Sequence, residues 1–529
     1  MTLAVFLAAC ATNPITTGAL PTQSAPAVTA PAQSSPTPAL PAGGSITIGV
    51  VGSAHLDVNA MPAFLQSAVF DSLLTVDPTN GALKPGLAES YQVSSDAKTY
   101  TFHLRAGVHW HNGDPLTADD VVATIKAFSN PEFRGTPVTD FGPLTSATAL
   151  DSRTVQVTMS SAYCSALTGI GTLSILPRAV ATSANLPHLT PAQMIGTGAL
   201  KLRAINGNEF TLDRNADYYG GAPAIDTWTL RVYPDAAALR AAFAAKQIDV
   251  MPATTADYAA ITSLPGTNLQ SSAAPESVSL LFNTATPALS DARVRQALAY
   301  ALDRNVLLND LAGQGQLIDG SALPGFWANP ANLPGYPYDP AKAKQILTDA
   351  GWRDAGNGVL SKDGKPMQLE LWSEADNPIL EPLALRIREQ LAALGINVTV
   401  RLDDRPGWLT IAFQHRFDLL LLTRQVPLDP DQRWYWQSDQ NAMGSGYNFG
   451  SYANPRLDAA FADLQRAPAC DPTARAALFG QIDQTLVTDA PAVFLLAPKQ
   501  YLVSSNRAAG LAPSAFAGEF WNINAWHVK

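Results

Sequence analysis

Residues 227–250 read TWTLRVYPDAAALRAAFAAKQIDV. Trp228, Leu230 and Val232 alternate with their neighbours as the inward face of a strand does. Asp235 stands where a helix N-cap accepts backbone amide protons, and Leu239, Ala242 and Phe243 follow at three- and four-residue spacing. Ile248 and Val250 then resume the twofold alternation. Strand, helix and strand in this order form a βαβ pattern, which lays a helix against a sheet and predicts an α/β fold.

The same periods recur outward from this unit. Ile46, Ile48 and Val50 alternate, as do Tyr100, Phe102 and Leu104, with Thr101, His103 and Arg105 on the opposite face. Val294, Ala297, Leu298, Ala301 and Leu302 form a helical stripe behind a cap at Ser290 or Asp291. Asp339-Pro340 opens a helix that carries Ala343, Ile346, Leu347 and Ala350 inward and ends at Gly351. Leu380, Leu383, Ala384, Ile387, Leu391 and Leu394 mark a longer helix closed by Gly395, and Ile396, Val398 and Val400 follow as a strand. Asn454-Pro455 and Asp471-Pro472 open two more, the second leading through Pro491 into Val493–Leu496. There is no internal repeat.

Composition bounds the function. The 529 residues exceed what one hydrophobic core covers, so about two to four domains or lobes are expected. Hydrophobic residues make up 47% and charged residues 15%, enough to bury a large core, yet no apolar run approaches the roughly 18 residues that span a bilayer. The balance of 34 Lys and Arg against 44 Asp and Glu gives a net charge of −10, the wrong sign for a nucleic-acid partner. No G-x-S-x-G elbow, P-loop, H-E-x-x-H or G-x-G-x-x-G behind a strand is present, so nothing nominates an enzyme or a cofactor. His109 and His111 lack a third ligand at useful spacing and read as turn residues around Trp110 rather than a metal site.

Met1–Ala9 is a short apolar run ending in Leu7-Ala8-Ala9-Cys10, which resembles the lipobox of bacterial lipoproteins. No Lys or Arg precedes Cys10, so residues 1–9 read as a partial signal peptide whose start lies upstream. Ala11–Gly44 carries no charge and is mostly Ala, Pro, Thr, Ser and Gly, a composition too poor in large apolar groups to fold. Residues 10–44 are therefore expected to be a lipidated cysteine and a disordered tether. The expected location is the outer face of the cytoplasmic membrane or the periplasm.

Four stretches carry a wider resemblance: DAKTYTFHLRAGVHWHNGDPLTADDVVATIKAF (96–128), IGTGALKLRAINGNEFTLDRNADYYGGAPAIDTWTLRVYPDAAALRAAFAAKQIDVM (195–251), SLLFNTATPALSDARVRQALAYALDRNVLL (279–308) and YDPAKAKQILTDAGW (338–352). Their order and content resemble the bacterial extracellular solute-binding proteins of family 5, the dipeptide, oligopeptide and nickel class. The resemblance implies a two-lobed clamshell of mixed sheets. Lobe I would take 45–275 plus 496–529, with an inserted subdomain at about 60–195, and lobe II 276–495. It also implies a monomer that gives a peptide or similar small polar solute to an ABC permease driven by an ATPase.

The family pairs a peptide's α-amino group with an aspartate shortly after the strand corresponding to Phe417–Leu422. Here that position falls on Val426, while Arg424 points to an anionic or polar neutral group. The basic residue that meets a dipeptide's carboxylate would fall near Trp372–Asn377, where Glu374 and Asp376 stand instead. Candidate ligand-binding residues are thus Ser53, His55, Thr197, Asn283, Trp372, Glu374, Arg424, Trp434, Trp436, Tyr447 and Asn448, the last four in a turn-rich aromatic segment. The family layout puts Cys164 and Cys470 in different lobes, so both are expected to be free. Alternative ligands are a sugar, a modified amino acid or a metal chelate, and a signalling sensor is an alternative role. A secreted hydrolase is the weakest alternative, for want of an activated nucleophile.

Overall fold

A computed structural model describes residues 43–529 apart from 59, 134–140, 331, 355 and 357. The proposed leader, Cys10 and nearly all of the tether lie outside the described residues. The βαβ reading is met: Thr227–Tyr233, helix Ala236–Ala244 and Val250–Thr254 flank Ser45–Val51, which pairs parallel with both strands. Asp235 caps the helix by accepting from the Ala238 amide at 2.8 Å.

That trio belongs to the largest sheet. In order it runs Asn397–Asp403, Gln368–Glu374, Leu419–Gln425, Glu276–Phe282, Ala492–Ser505, Val250–Thr254, Ser45–Val51, Thr227–Tyr233, Glu209–Arg214 and Leu200–Asn206. Ala492–Ser505 holds the two halves together. Its beginning pairs with Glu276–Phe282 as far as Leu496 opposite Val278, and its end pairs with Thr267–Ala273 from Lys499 opposite Ala273. The chain passes between the halves a second time at Ala274 and Pro275, where the Ala274 amide donates to Pro498 O at 2.7 Å. Both crossings lie side by side, which makes the molecule two lobes with mixed sheets.

A separate four-stranded antiparallel sheet, Ala88–Val93, Thr99–Leu104, Thr154–Met159 and Leu144–Asp151, enlarges the first lobe. The alternation read at Tyr100, Phe102 and Leu104 buries all three in a core shared with Trp228 and Trp526. Strand Leu419–Gln425 of the second lobe has apolar residues on both faces, as a strand covered on both sides must: Leu419 and Leu421 enter one core, Leu420 and Leu422 another. Asp291, Asp339, Asn454 and Asp471 each cap a helix by side-chain acceptance. Ser290 instead donates its hydroxyl to Pro287 O.

One expectation is corrected. Cys164 and Cys470 are not free but form a disulfide, their Cα atoms 5.3 Å apart. Chain order assigns them to different lobes, but the turn between helices Pro455–Gln465 and Pro472–Asp489 reaches out to the inserted subdomain. There Ala467 and Cys470 enter the first-lobe core, the Cys164 amide donates to Gln465 O at 3.2 Å, and the Tyr100 hydroxyl lies 3.5 Å from Cys470 Sγ.

Candidate functional site

The first wall begins at a Gly-rich turn. A Cβ on Gly196 would collide with the Val69 carbonyl and one on Gly198 with the Ala68 carbonyl, so only glycines let this turn lie against helix Ala63–Val69. His111 pins it, its Nδ1 accepting from the Gly196 amide at 3.2 Å and its Nε2 reaching Gly198 O at 3.0 Å. Burial lowers the imidazole pKa to about 4, which keeps it neutral, as those two bonds require. The turn presents Thr197, whose hydroxyl donates to Asp71 Oδ2 at 2.8 Å, while the Tyr218 hydroxyl donates to Oδ1 at 3.1 Å. Burial nonetheless raises the Asp71 carboxyl to about 6, against the pull of those hydroxyls.

Near the C-terminus, Ser514 accepts from the Phe516 and Ala517 amides at 3.0 Å each and donates to Pro78 O at 2.6 Å. This brace turns Phe516 toward Phe326 of the other lobe, ring centroids 6.2 Å apart, and Phe520 onto Phe64 at 5.3 Å. Glu519 sits between them. Burial pushes its carboxyl up to about 7. The second wall is Leu323, Phe326 and the segment Val426–Leu428 that follows strand Leu419–Gln425.

These walls enclose a cavity of about 340 Å³ that also touches Pro275 at the crossing. A larger space of about 640 Å³ adjoins it along the first lobe, bordered by Gln66, Asp71, Lys84, Tyr218 and Trp521. Ala63, Leu428, Phe516, Gly518, Glu519 and Phe520 border both. The volumes fall in the range of small-molecule sites; the smaller cavity has mainly apolar walls with few polar groups, the usual composition of such sites, whereas the larger space is more polar.

Next to Leu428 a buried polar cluster ties the lobes together. Asp429 receives both Arg475 terminal nitrogens at 2.9 and 2.7 Å, and accepts from Ser165 at 2.9 Å and Thr168 at 3.0 Å in the inserted subdomain. Burial alone would raise the Asp429 carboxyl, but the Arg475 guanidinium outweighs it and holds the group below its ordinary value. Gln465 donates to Ser165 Oγ at 2.6 Å and to Asp431 at 2.8 Å.

The sequence candidates fall around the cavities rather than on them. Thr197 backs Asp71, and Val426, where an acid was sought, lines the smaller cavity. Arg424 is 8% exposed, its guanidinium 4.8 Å from the Tyr435 ring centre and 4.7 Å from that of Trp436. Its terminal nitrogens find no hydrogen-bond partner among the described residues, and burial lowers its pKa to about 10. Trp436 is buried and donates to Gln432. Asn448 is spent on the Gln437 and Tyr452 carbonyls, and Asn283 on those of His415 and Phe417. Trp372 donates to Glu370, and Glu374 pairs with Arg405 at 3.4 Å. Ser53, His55, Trp434 and Tyr447 are exposed.

Asp71 and Glu519 were not anticipated. A signal for the second existed: a single carboxylate set in the apolar run Phe516–Trp521. No group of three or more metal-ligating side chains occurs among the described residues.

The family model for bacterial extracellular solute-binding proteins, family 5, matches residues 82–445. The oligopeptide-binding protein AppA of Bacillus subtilis is 27% identical over 508 residues, which cover 92% of this chain and 91% of that protein. Its structure in complex with a nonapeptide superposes with a TM-score of 0.69 at 25% identity, covering 93% of this chain and all of that one. The nickel-binding periplasmic protein of Escherichia coli is 30% identical over 385 residues, 69% of this chain and 72% of its own length. NikZ of Campylobacter jejuni, solved in complex with Ni(L-His), gives a TM-score of 0.72 at 25% identity over 91% of this chain and 99% of that one.

Proposed function

This chain belongs to the bacterial extracellular solute-binding proteins of family 5, and from that membership we propose that it captures a peptide or similar small polar solute for an ABC importer. Lobe I is taken as 45–275 plus 496–529 and lobe II as 276–495. The ligand is held between them and favours the closed state, because only that state contacts it from both sides. A permease reads the closed form and takes the cargo, with an ATPase supplying the energy.

The cavity of about 340 Å³ carries this reading, since its walls come from both lobes and it touches the crossing at Pro275. Binding rather than catalysis is the role carried by membership of a family of solute-binding proteins. The relatives are named for binding an oligopeptide and nickel. The absence of any metal-ligating group of three among the described residues favours the first over a bare metal ion. Cys10 in Leu7-Ala8-Ala9-Cys10 is the proposed lipid anchor, and residues 11–44 the tether of a monomer working outside the cytoplasmic membrane.

Native mass spectrometry of freshly purified protein tests the cargo. A ladder of peptide masses is expected, and a single non-peptide mass would replace the peptide reading. Radiolabelled palmitate incorporated by the wild type and lost in Cys10→Ala tests the anchor.

A further inference from the structure

We infer that Glu519 is a counter-ion for the ligand, so that the solute captured in this cleft presents a cationic amine. The inference rests on the solute-binding reading and narrows its ligand class. Glu519 borders both cavities, yet its carboxylate has no hydrogen-bond or ion-pair partner among the described residues.

The other charged groups around this space are already answered. Asp71 is held by the Thr197 and Tyr218 hydroxyls, and Lys84 is paired with Asp77 at 2.6 Å. Glu519, half-buried, is therefore the uncompensated charge of the cleft, and a carboxylate partly withdrawn from water without a partner is unfavourable until a cation or a proton meets it. Its carboxyl, pushed up to about 7 by burial, reports that lack of a partner.

The walls beside it suit an organic cation better than a hydrated metal ion. Phe516 and Phe520 flank Glu519 in the chain, and Phe326 faces Phe516 from the second lobe. Aromatic faces attract an ammonium group and bury the carbons attached to it. A metal ion would need further oxygen, nitrogen or sulfur donors, which these side chains lack. A sugar or an anionic chelate leaves the carboxylate unanswered. The chemistry read from the cleft is a primary or secondary amine on an apolar stem, supplied either by a peptide N-terminus or by a free alkylamine.

Matched probes decide it. The full chain, freed of bound solute by dialysis against urea and refolded with its disulfide intact, is titrated calorimetrically with trialanine against N-acetyl-trialanine, and with cadaverine against 1,5-pentanediol. In at least one pair the amine member should bind about tenfold or more tightly, the difference expected where a buried charge gains or lacks its partner. Glu519→Gln, nearly the same shape, should reduce that preference to within about twofold, and Glu519→Asp, which keeps the charge, should retain part of it. Equal binding of charged and neutral members, binding by no probe, or a preference that survives Glu519→Gln overturns the inference. If cadaverine binds through Glu519 and neither peptide does, the peptide cargo fails and the amine site stands.

Discussion

Replacing Asp429 by Asn should weaken the packing of the inserted subdomain against the second lobe. The carboxylate is buried and accepts five hydrogen bonds: two from Arg475, at 2.9 and 2.7 Å, one each from Ser165 and Thr168, and one from the Asp431 amide at 3.0 Å. The amide keeps the shape but removes the charge and one acceptor. Arg475, whose side chain is 4% exposed, is left as a buried cation without an anion. Breaking such a pair from one side costs about 3–5 kcal/mol, far more than the pair contributes relative to apolar residues of the same size. The double variant Asp429→Leu/Arg475→Met should therefore recover most of the loss, to within about 1–2 kcal/mol of the wild type, the remainder being the Ser165 and Thr168 hydroxyls left without their acceptor. Urea unfolding followed by tryptophan fluorescence and circular dichroism, with slopes compared between variants, measures both numbers and tests whether the lobes unfold together. A loss below about 1 kcal/mol in Asp429→Asn, or a double variant no better than the single one, would refute the reading of Asp429 and Arg475 as a buried pair whose breakage leaves an uncompensated charge.

Three further outcomes are expected. Non-reducing peptide mapping should recover Cys164 joined to Cys470, and Cys164→Ala/Cys470→Ala should lose up to about 5–6 kcal/mol, the chain-entropy value for closing a loop of 306 residues. Because burial raises Glu519 to about 7 and Asp71 to about 6, the folded state holds protons that the unfolded chain has released. Stability of the ligand-free protein should thus fall as pH rises from about 4 to about 7, and a melting midpoint in Glu519→Gln that keeps the wild-type slope over this range would contradict the assignment. Gly196→Ala should cost about 2 kcal/mol or more in a thermal melt, since its Cβ meets the Val69 carbonyl and the turn carrying Thr197 must move.

The helices were legible because their signals are local. Asp235, Asp339, Asn454 and Asp471 sit beside the amides they cap, so a few residues of sequence contain the whole interaction. The cleft is assembled from Ala63–Ser72, Leu323–Phe326, Val426–Leu428 and Ala515–Phe520, brought together by two chain crossings, and no local period records that meeting. The aromatic segment illustrates the converse. Its turn-forming residues looked like a binding loop, but Trp436 and Asn448 are committed to Gln432 and to backbone carbonyls. The resemblance put the family's acid position at Val426, which lines the smaller cavity, whereas the unpaired carboxylate stands about a hundred residues away in the chain, at Glu519. Cys164 and Cys470 were misjudged because position along the chain was taken for position in space.

The bridge between Cys164 and Cys470 alters the mechanics of opening. A clamshell joined only by adjacent strand crossings can swing and twist in several directions. Here the disulfide with its Asp429 cluster ties the second lobe to the first at a place remote in sequence from the strand Ala492–Ser505. A second tie of this kind resists twisting about the strand crossings, so opening should approach a door-like rotation about the line through both ties. Distances between spin labels placed on the two lobes far from that line should vary along one coordinate in the oxidised protein, and spread over more than one after reduction.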